Sequence, residues 1–363
     1  MSYYRRYTMD FNSLITTFSS LLPSSSFMAQ TIVSAFISAM FSSRSSKKEA
    51  IYGAKVDLLN KIIYDLVEDN TLTATEYLKC KNLADIAQLA DQARAKRAKG
   101  TLDEGAECNE QPKYNFDWFW RFFERAGYAS DLEMKKLWAS VLNGEIDHSG
   151  QFSYKAIETL FLMNEAHAKL FREMARFSFN TPFGECILVS SDELYENTDV
   201  NTPCAVDGES DMYSVLAAAY GITNEKVMLL DEYGLVSSML TTSSFHITHD
   251  PQFITNDYYA IQIQLRADCQ LESLEFEICG HRFSSVARQL FAVLDDEPSV
   301  SFFLDYARLI KRRFPEIDVS VFSIASIDEN GLTIEDSTDW LEEPSSKEKT
   351  RISTLEDENF TLV

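Results

Sequence analysis

Three polar residues near the middle of the chain have the side-chain types that acid–base chemistry uses. Glu145, Asp147 and His148 lie close together after the end of a predicted helix. A carboxylate and an imidazole at this spacing can be drawn as a general acid and a general base. The same residues are also typical of a turn, in which Glu145 would cap the neighbouring helix or bind an arginine such as Arg121. No P-loop, G-x-G-x-x-G, G-x-S-x-G or H-E-x-x-H motif accompanies them, so the sequence predicts a protein without catalytic residues.

The cysteines and histidines do not follow a metal-binding pattern. Six cysteines and five histidines are spread along the chain with no C-x-x-C and no H-x-x-x-H. The nearest candidate ligands are Cys279 with His281 and His246 with His249, and a zinc site would need further ligands close to either pair. The sequence therefore predicts thiols in a reduced cytoplasm, with no metal ion and no cofactor.

Aromatic residues are concentrated in a helix that is predicted behind Asn115, a favourable N-cap. Its apolar face at helical spacing consists of Phe116, Phe119, Trp120 and Phe123. Trp118 and Phe122 fall off this face, which predicts a helix buried between two layers. Trp118, Trp120 and Trp138 would either line a ligand pocket or fill the core, as rings at helical spacing commonly do.

Further helices follow after short connections. Ser130 and Glu133 form a capping box that predicts the start of a second helix. Asn143 and Gly144 are predicted to stop it, and Ser153 to cap a third. Such short connections predict antiparallel neighbours around one core.

This helical region resembles the bacterial family known as domain of unknown function 2806. The resemblance is carried by the stretches FDWFWRFFERAGYASDLEMKKLWASVLNGEI and GQFSYKAIETLFLMNEAHAKLF. The matching residues are Trp118, Phe122, Phe123, Ser130, Met134, Leu137, Trp138, Leu142, Gly144, Glu145, Phe152, Ser153 and Leu160. The chain departs from the family pattern at Gln151 and Ala156, where that pattern has Ser and Arg or Thr.

More distantly, the chain is similar to the abortive-infection alpha proteins, which share the tryptophan-to-glutamate helix. Neither family has an established activity, so the resemblance implies a setting in bacterial antiviral defence and no mechanism. We expect interaction residues in this motif region at Trp118, Trp120, Arg121, Arg125, Trp138, Glu145 and Ser153.

The charge of the chain is strongly acidic and unevenly distributed. The formal net charge is −23 at pH 7, and residues 1–100 contribute +4 of it, which leaves −27 for the remainder. A surface of this sign repels phosphate, which argues against nonspecific nucleic-acid binding by most of the molecule.

Residues 14–41 are apolar and rich in serine and threonine. Their predicted helical face includes Met28, Ile32, Phe36, Met40 and Phe41. The continuous apolar part, 27–41, is shorter than the roughly 20 residues that span a bilayer. It predicts a helix that contacts a membrane surface peripherally or mediates oligomerisation, or one that packs on the core.

Residues 211–236 resemble the helix-turn-helix of winged-helix folds. Thr223 would cap the second helix, Gly234 would end it, and strands are predicted at 259–266 and 274–279. A helix that reads DNA needs basic or amide side chains. Between Thr181 and Ala260 the only lysine or arginine is Lys226, against 13 acidic residues. We therefore interpret this module as a packing or protein-docking element.

The fold class predicted from these patterns is α+β and predominantly helical. An N-terminal and central helical bundle would precede a winged-helix-like and small α+β C-terminal region. The predicted parts are an apolar segment at 1–46, a helical domain at 47–180, an α+β region at 181–327 and an acidic tail at 328–363.

Three classes of function remain open at this stage. The first is a non-enzymatic interaction protein in bacterial defence that acts through protein partners, in the cytoplasm or peripherally at the inner membrane. The second is a DNA-associated regulator, and the third is an acidic DNA mimic or antitoxin-type inhibitor of a basic partner. Homo-oligomerisation is compatible with each of them.

Overall fold

A computed structural model gives the fold. It describes residues 8–9, 73–100, 114–189, 216–217, 219–256, 258–291, 293–294, 298–328 and 331–334. The predicted apolar face lies outside these residues, namely Met28, Ile32, Phe36, Met40 and Phe41. The chain divides into unit 1, Met1–Lys169 with Val286–Leu294, and unit 2, Leu170–Ser285 with Asp295–Val363. The division into four parts made from the sequence stays a prediction.

Helices dominate the described residues of unit 1. They are α1 (Ala74–Gly100), α2 (Phe116–Ala126), α3 (Leu132–Asp147), α4 (Tyr154–Leu162) and the first part of α5 (Glu165–Ala175). Helix α6 (Asn224–Glu232) belongs to unit 2, and most of α7 (Ser285–Phe291) belongs to unit 1 again. A two-stranded antiparallel ladder pairs β1 (Thr8–Met9) with β2 (Tyr114–Asn115).

The predicted helix starts are confirmed with one shift. Asn115 accepts a hydrogen bond from the Trp118 amide and caps α2, and Ser153 caps α4 in the same way. The cap of α3 is Asp131, whose side chain accepts from the Met134 amide, and not Ser130. Serine and aspartate are both favoured at this position, so their order in the chain does not identify which one caps the helix.

The predicted stop of the second helix is wrong, because α3 continues to Asp147. Asn143 is fully buried, and its side-chain amide donates to the Ala90 carbonyl at 2.9 Å. A Cβ placed on Gly144 would lie 2.7 Å from a ring carbon of Phe152. The glycine therefore permits a close approach inside the unit instead of ending the helix.

The first three helices alternate in direction. Lys135 of α3 pairs with Asp85 of α1, and further along both helices Asp147 lies 3.8 Å from Arg94. The two pairs follow the same order, so α1 and α3 run parallel. Trp138 in the middle of α3 packs edge-on against Phe122 of α2, which occupies the antiparallel position.

Helix α4 runs in the direction of α2. Asn115 at the start of α2 hydrogen-bonds Tyr154 at the start of α4, and Tyr128 just beyond α2 contacts Phe161 near the end of α4. Lys79 near the start of α1 lies over the Tyr128 ring. The starts of α1 and α3 and the ends of α2 and α4 therefore lie at one end of unit 1.

The buried side of α2 differs from the predicted face. Trp118, Phe119, Phe122 and Phe123 are buried. Phe116 and Trp120 are half-buried and stack on each other with ring centroids 6.2 Å apart. Helical spacing placed Trp118 and Phe122 off the apolar face, whereas α3 and the Phe152 segment cover the side that carries these two rings.

Unit 2 is organised around an eight-stranded antiparallel sheet. Its strands are β3 (Ser178–Asn180), β4 (Cys186–Val189), β5 (Val236–Ile247), β6 (Gln252–Thr255), β7 (Tyr259–Leu265), β8 (Leu274–Phe283), β9 (Ile317–Asp328) and β10 (Gly331–Ile334). The spatial order is β10-β9-β7-β6-β3-β4-β8-β5. Besides α6, the unit contains α8 (Val300–Arg313).

The α+β class is confirmed, and the sheet is larger than predicted. Strand β10 occupies the first residues of the predicted acidic tail. Thr223 caps α6, and Gly234 has a φ of 64°, as the predicted helix-turn-helix requires. The strand that follows, β5, pairs with β8 as part of the large sheet. The winged-helix-like interpretation stays a prediction.

Candidate functional site

Two of the three candidate tryptophans belong to the interior of unit 1. Trp118 is 2% exposed and donates from Nε1 to the Phe152 carbonyl at 2.9 Å. Its ring stacks on Phe122, against which Trp138 packs edge-on at 5.2 Å. Both indoles are therefore core residues that fix α2 against its neighbours. Trp120 is half-buried on the stack with Phe116.

Glu145 is also structural. Its carboxylate is fully buried and accepts hydrogen bonds from the amides of Gly150 at 2.7 Å and Phe152 at 3.2 Å. Asp147 and His148 are exposed, so the three residues do not share one environment. The sequence offered Glu145 as the cap of a neighbouring helix. In the structure its carboxylate instead accepts hydrogen bonds from two amides of the α3–α4 connection.

Ser153 connects α4 with a distant part of the chain. Besides accepting from the Ala156 amide, it donates from its own amide and from Oγ to Oε1 of Gln289, each at 2.9 Å. Gln289 lies on α7 within unit 1. The hydroxyl thus has a donor and an acceptor role, both used to hold the helix start.

Arg121 and Arg125 are brought together on the surface. Arg125 lies 3.1 Å from the Glu158 carboxylate, and Arg121 lies 3.8 Å from it. The guanidinium of Arg121 also covers the ring of Tyr154, and that of Arg125 covers Phe161, at 4.7 and 4.8 Å from the ring centroids. Glu158 therefore takes the place that the sequence analysis offered to Glu145 beside Arg121.

This arrangement continues to the end of the unit. The Phe161 ring contacts Tyr128 with centroids 5.9 Å apart, and Lys79 Nζ lies 4.1 Å from the Tyr128 centroid. We call the set the cation–aromatic row. It consists of Lys79, Tyr128, Phe161, Arg125, Glu158, Arg121 and Tyr154.

The row leads to an exposed apolar surface. Among the described residues of unit 1, all large apolar side chains that are classed as exposed lie at the end where α1 and α3 start and α2 and α4 end. They are Leu78, 56% exposed, Tyr128, 53%, Leu132, 57%, and Leu162, 65%. We call these four residues the apolar end surface. Several exposed large apolar side chains at the same end of a unit are typical of an interaction site.

The charges around the apolar end surface are paired within the chain. Lys136 contacts Glu133 at 2.8 Å, and Lys169 contacts Glu165 at 2.6 Å. The hydrogen bond that Lys169 donates to Glu165 and the attraction of further carboxylates raise the pKa of Lys169. This part of a strongly acidic chain is therefore close to neutral.

The candidate metal ligands have other surroundings. His281 is fully buried, with Nδ1 3.0 Å from the Ser237 carbonyl, and desolvation lowers its pKa. Cys279 lies 3.5 Å from the Thr242 hydroxyl. Across the described ranges, no three His, Cys, Asp or Glu side chains are grouped as metal binding requires. Burial raises the pKa of the Cys80 thiol to about 11, so this thiol is protonated at neutral pH.

Two further observations concern a membrane and DNA. In the part of the chain that the structure describes, none of the helices combines the length and apolar character needed to cross a bilayer. On α6, Lys226 contacts the Glu173 carboxylate at 2.8 Å. The one basic side chain of that helix is thus already paired with an acid.

The sequence analysis selected Arg121 and Arg125 but not the apolar end surface. Leu78, Leu132 and Leu162 are ordinary helix residues in sequence, and only the alternating helix directions bring them to the same end.

No curated protein and no solved structure matches the chain. A family model matches residues 76–305, a range that includes the complete cation–aromatic row and the apolar end surface. The chain therefore belongs to the family described as Protein of unknown function (DUF2806).

Proposed function

We propose that the chain is a non-enzymatic interaction protein whose apolar end surface binds a protein partner. The observation that carries this proposal is the grouping of Leu78, Tyr128, Leu132 and Leu162 at one end of unit 1. Each of these large apolar side chains has more than half of its surface exposed, and keeping apolar surface in water costs about 25 cal/mol of free energy per Å². A partner that covers them removes this cost.

The chemistry of the surface indicates what kind of partner it fits. Tyrosine and arginine are enriched among the residues that dominate binding energies, and Tyr128 lies in a row with Arg125. The neighbouring acids and bases already neutralise one another. The partner surface that fits is therefore apolar at its centre and low in net charge, unlike the basic surface that most of this acidic chain would attract.

The proposal that the protein is not an enzyme is supported by the polar groups of the motif region. Glu145 accepts hydrogen bonds from two backbone amides, and Ser153 caps α4 and donates a hydrogen bond to Gln289. Arg121 and Arg125 both contact the Glu158 carboxylate, and each covers an aromatic ring. Each candidate thus has a structural role that explains its position.

The biological setting is part of the proposal and is supported by the resemblance in the sequence. We place the protein in bacterial antiviral defence, with an abortive-infection-like role, in the cytoplasm or peripherally at the inner membrane. The segment 1–46 would supply the membrane contact. Fractionation of the host with the full-length chain and with a chain lacking residues 1–45 tests this point, and equal distributions of the two would contradict it.

A second candidate function is supported by the acidic sequence of unit 2. With 13 acidic residues against one lysine between Thr181 and Ala260, this region suits a DNA mimic or an antitoxin-type inhibitor of a basic partner. The winged-helix-like element around α6 would then dock a protein. A DNA-associated regulator is less well supported, because Lys226 is paired with Glu173. Binding that weakens steeply with salt would favour either of these alternatives.

The test of the main proposal compares matched surface variants. Leu132→Asp places a carboxylate in the first turn of α3, and Leu162→Lys places a cation at the end of α4, where the helix dipole favours each charge. Leu271→Asp in unit 2 is the control, since Leu271 is 45% exposed and lies outside the apolar end surface.

Each variant is purified from the host with its stoichiometric partner and then tested with that partner in purified form. We expect Leu132→Asp and Leu162→Lys to weaken the complex roughly tenfold or more, as the loss of one buried leucine does. Leu271→Asp should bind like the parent chain. Equal affinities of all four chains, or the absence of any stoichiometric complex, would contradict the proposal.

A further inference from the structure

The apolar end surface has properties that identify its occupant. Resting on the proposed function, we propose that the surface binds the same surface of a second copy, forming a two-fold symmetric dimer. Such a contact is isologous, so the patch must be complementary to itself. It needs an apolar centre and a rim on which acids and bases both occur.

The rim meets this requirement. Its basic residues come from α1, α2, α3 and α5, and its acidic residues come from the same end of unit 1. They include the bases Lys79, Arg125, Lys136 and Lys169 and the acids Glu76, Glu124, Asp131, Glu133 and Glu165. Because both signs occur on the rim and pair within each chain, two copies of the rim do not repel each other, whereas a rim of one sign would repel itself.

The geometry of the rim supports one continuous surface. Lys169 on α5 feels the charges of Asp131 and Glu133 at the start of α3. Lys79 on α1 lies over Tyr128, which in turn contacts Phe161 of α4. The helix ends are thus neighbours in space, and their side chains form the rim of a single patch.

The overall charge explains why a second copy would meet the first here. Two chains of net charge −23 repel each other over most of their surfaces. The apolar end surface is locally neutral, so contact at this end brings the fewest like charges together. The remaining repulsion is long-ranged and is screened by salt, so the dimer should become tighter as the salt concentration rises.

The size of the patch sets the expected strength. A standard interface buries about 800 Å² on each partner. Four half-exposed side chains form only the centre of such an area, and the rim has to supply the rest. We therefore expect a reversible dimer with a dissociation constant on the order of micromolar.

The experiment is sedimentation velocity on the purified full-length chain, from about 0.1 to about 100 μM, at low and high salt. We expect a dimer whose dissociation constant falls at least severalfold at high salt. Leu132→Asp and Leu162→Lys should each raise this constant roughly 100-fold, because each change occurs twice in an isologous contact. Leu271→Asp should leave it unchanged, and circular dichroism confirms that each variant is folded.

Crosslinking of a mixture of ¹⁴N- and ¹⁵N-labelled chains locates the contact. Lysine crosslinks between differently labelled copies should join Lys79, Lys136 and Lys169. A chain that is monomeric at all concentrations, or a dimer whose intermolecular crosslinks lie elsewhere, overturns the inference. If the chain is monomeric but loses a different partner in Leu162→Lys, the proposed function stands and only the dimer is refuted.

Discussion

Each unit buries one titratable side chain at an irregular connection, and the two side chains have opposite roles. In unit 1, Glu145 accepts hydrogen bonds from two amides of the α3–α4 connection. In unit 2, His281 donates from Nδ1 to the Ser237 carbonyl, within the irregular register of β5 between Val236 and Leu240. A turn that directs amides inward needs an acceptor, and a bulge that directs a carbonyl inward needs a donor.

A buried acid or imidazole is therefore not by itself a sign of catalysis. Both residues are fully buried, and in both cases the local backbone accounts for the side chain. The cost of an unsatisfied buried amide or carbonyl, about 1–3 kcal/mol, is enough to explain why a polar side chain occupies each position. Substitutions and pH distinguish the two roles.

The largest effect is expected for Glu145→Ala. Two buried amides lose their acceptor, so the free energy of unfolding of unit 1 should fall by about 3 kcal/mol. Urea unfolding followed by tryptophan fluorescence measures this change, because three of the four tryptophans, Trp118, Trp120 and Trp138, lie in unit 1. His148→Ala, at an exposed position directly after the same helix, is the control and should change the value by less than about 0.5 kcal/mol. Similar values for both variants would contradict the role of Glu145.

A smaller loss is expected for Gly144→Ala. The added Cβ would lie 2.7 Å from the Phe152 ring, so the connection that Glu145 holds must shift. Overpacking of this kind costs about 1–3 kcal/mol in unfolding free energy. The same fluorescence assay applies, with Ser140→Ala on α3 as the matched control. A Gly144→Ala chain as stable as the parent would show that the connection adapts without cost.

The smallest effect is the pH dependence that His281 gives unit 2. Burial lowers the pKa of His281 below that of an unfolded chain, where histidine titrates near 6.5. The unfolded state therefore binds more protons as the pH falls, and the stabilisation present above pH 6.5 is lost on acidification. Between pH 7.5 and 5.5 the free energy of unfolding should therefore fall, by no more than about 1.4 kcal/mol, the limit for one proton over one pKa unit.

Urea unfolding monitored by far-ultraviolet circular dichroism at the two pH values tests this expectation. His281→Gln should show a smaller difference between the two pH values than the parent chain. His246→Gln, at an exposed position on β5, should keep the parent's difference. An unchanged pH dependence in His281→Gln would contradict the assignment.

The local features of the fold could be predicted from the sequence. Asn115, Ser153 and Thr223 cap helices as expected, because capping depends on a residue type and on amides only two or three positions away. The α+β class followed from the mixture of helical and alternating patterns.

Features that depend on distant contacts could not be predicted. Strand β5 carries the sequence VSSMLTTSSFHI, in which serine and threonine obscure the alternation, and its partner β8 lies about thirty residues later. The same limit applies to the candidate site. Arg121 and Arg125 were selected from the motif, whereas Leu162 became relevant only when the helix directions placed it beside Tyr128, Leu78 and Leu132.

The hydrogen bonds between Ser153 and Gln289 have a consequence for synthesis on the ribosome. The two residues are 136 positions apart, and α7 follows strands β3 to β8 in the chain. A nascent chain emerges from its N-terminus, so the start of α4 has no Gln289 acceptor until most of unit 2 has been translated. The start of α4 therefore lacks this part of its cap until a segment made late in synthesis has emerged.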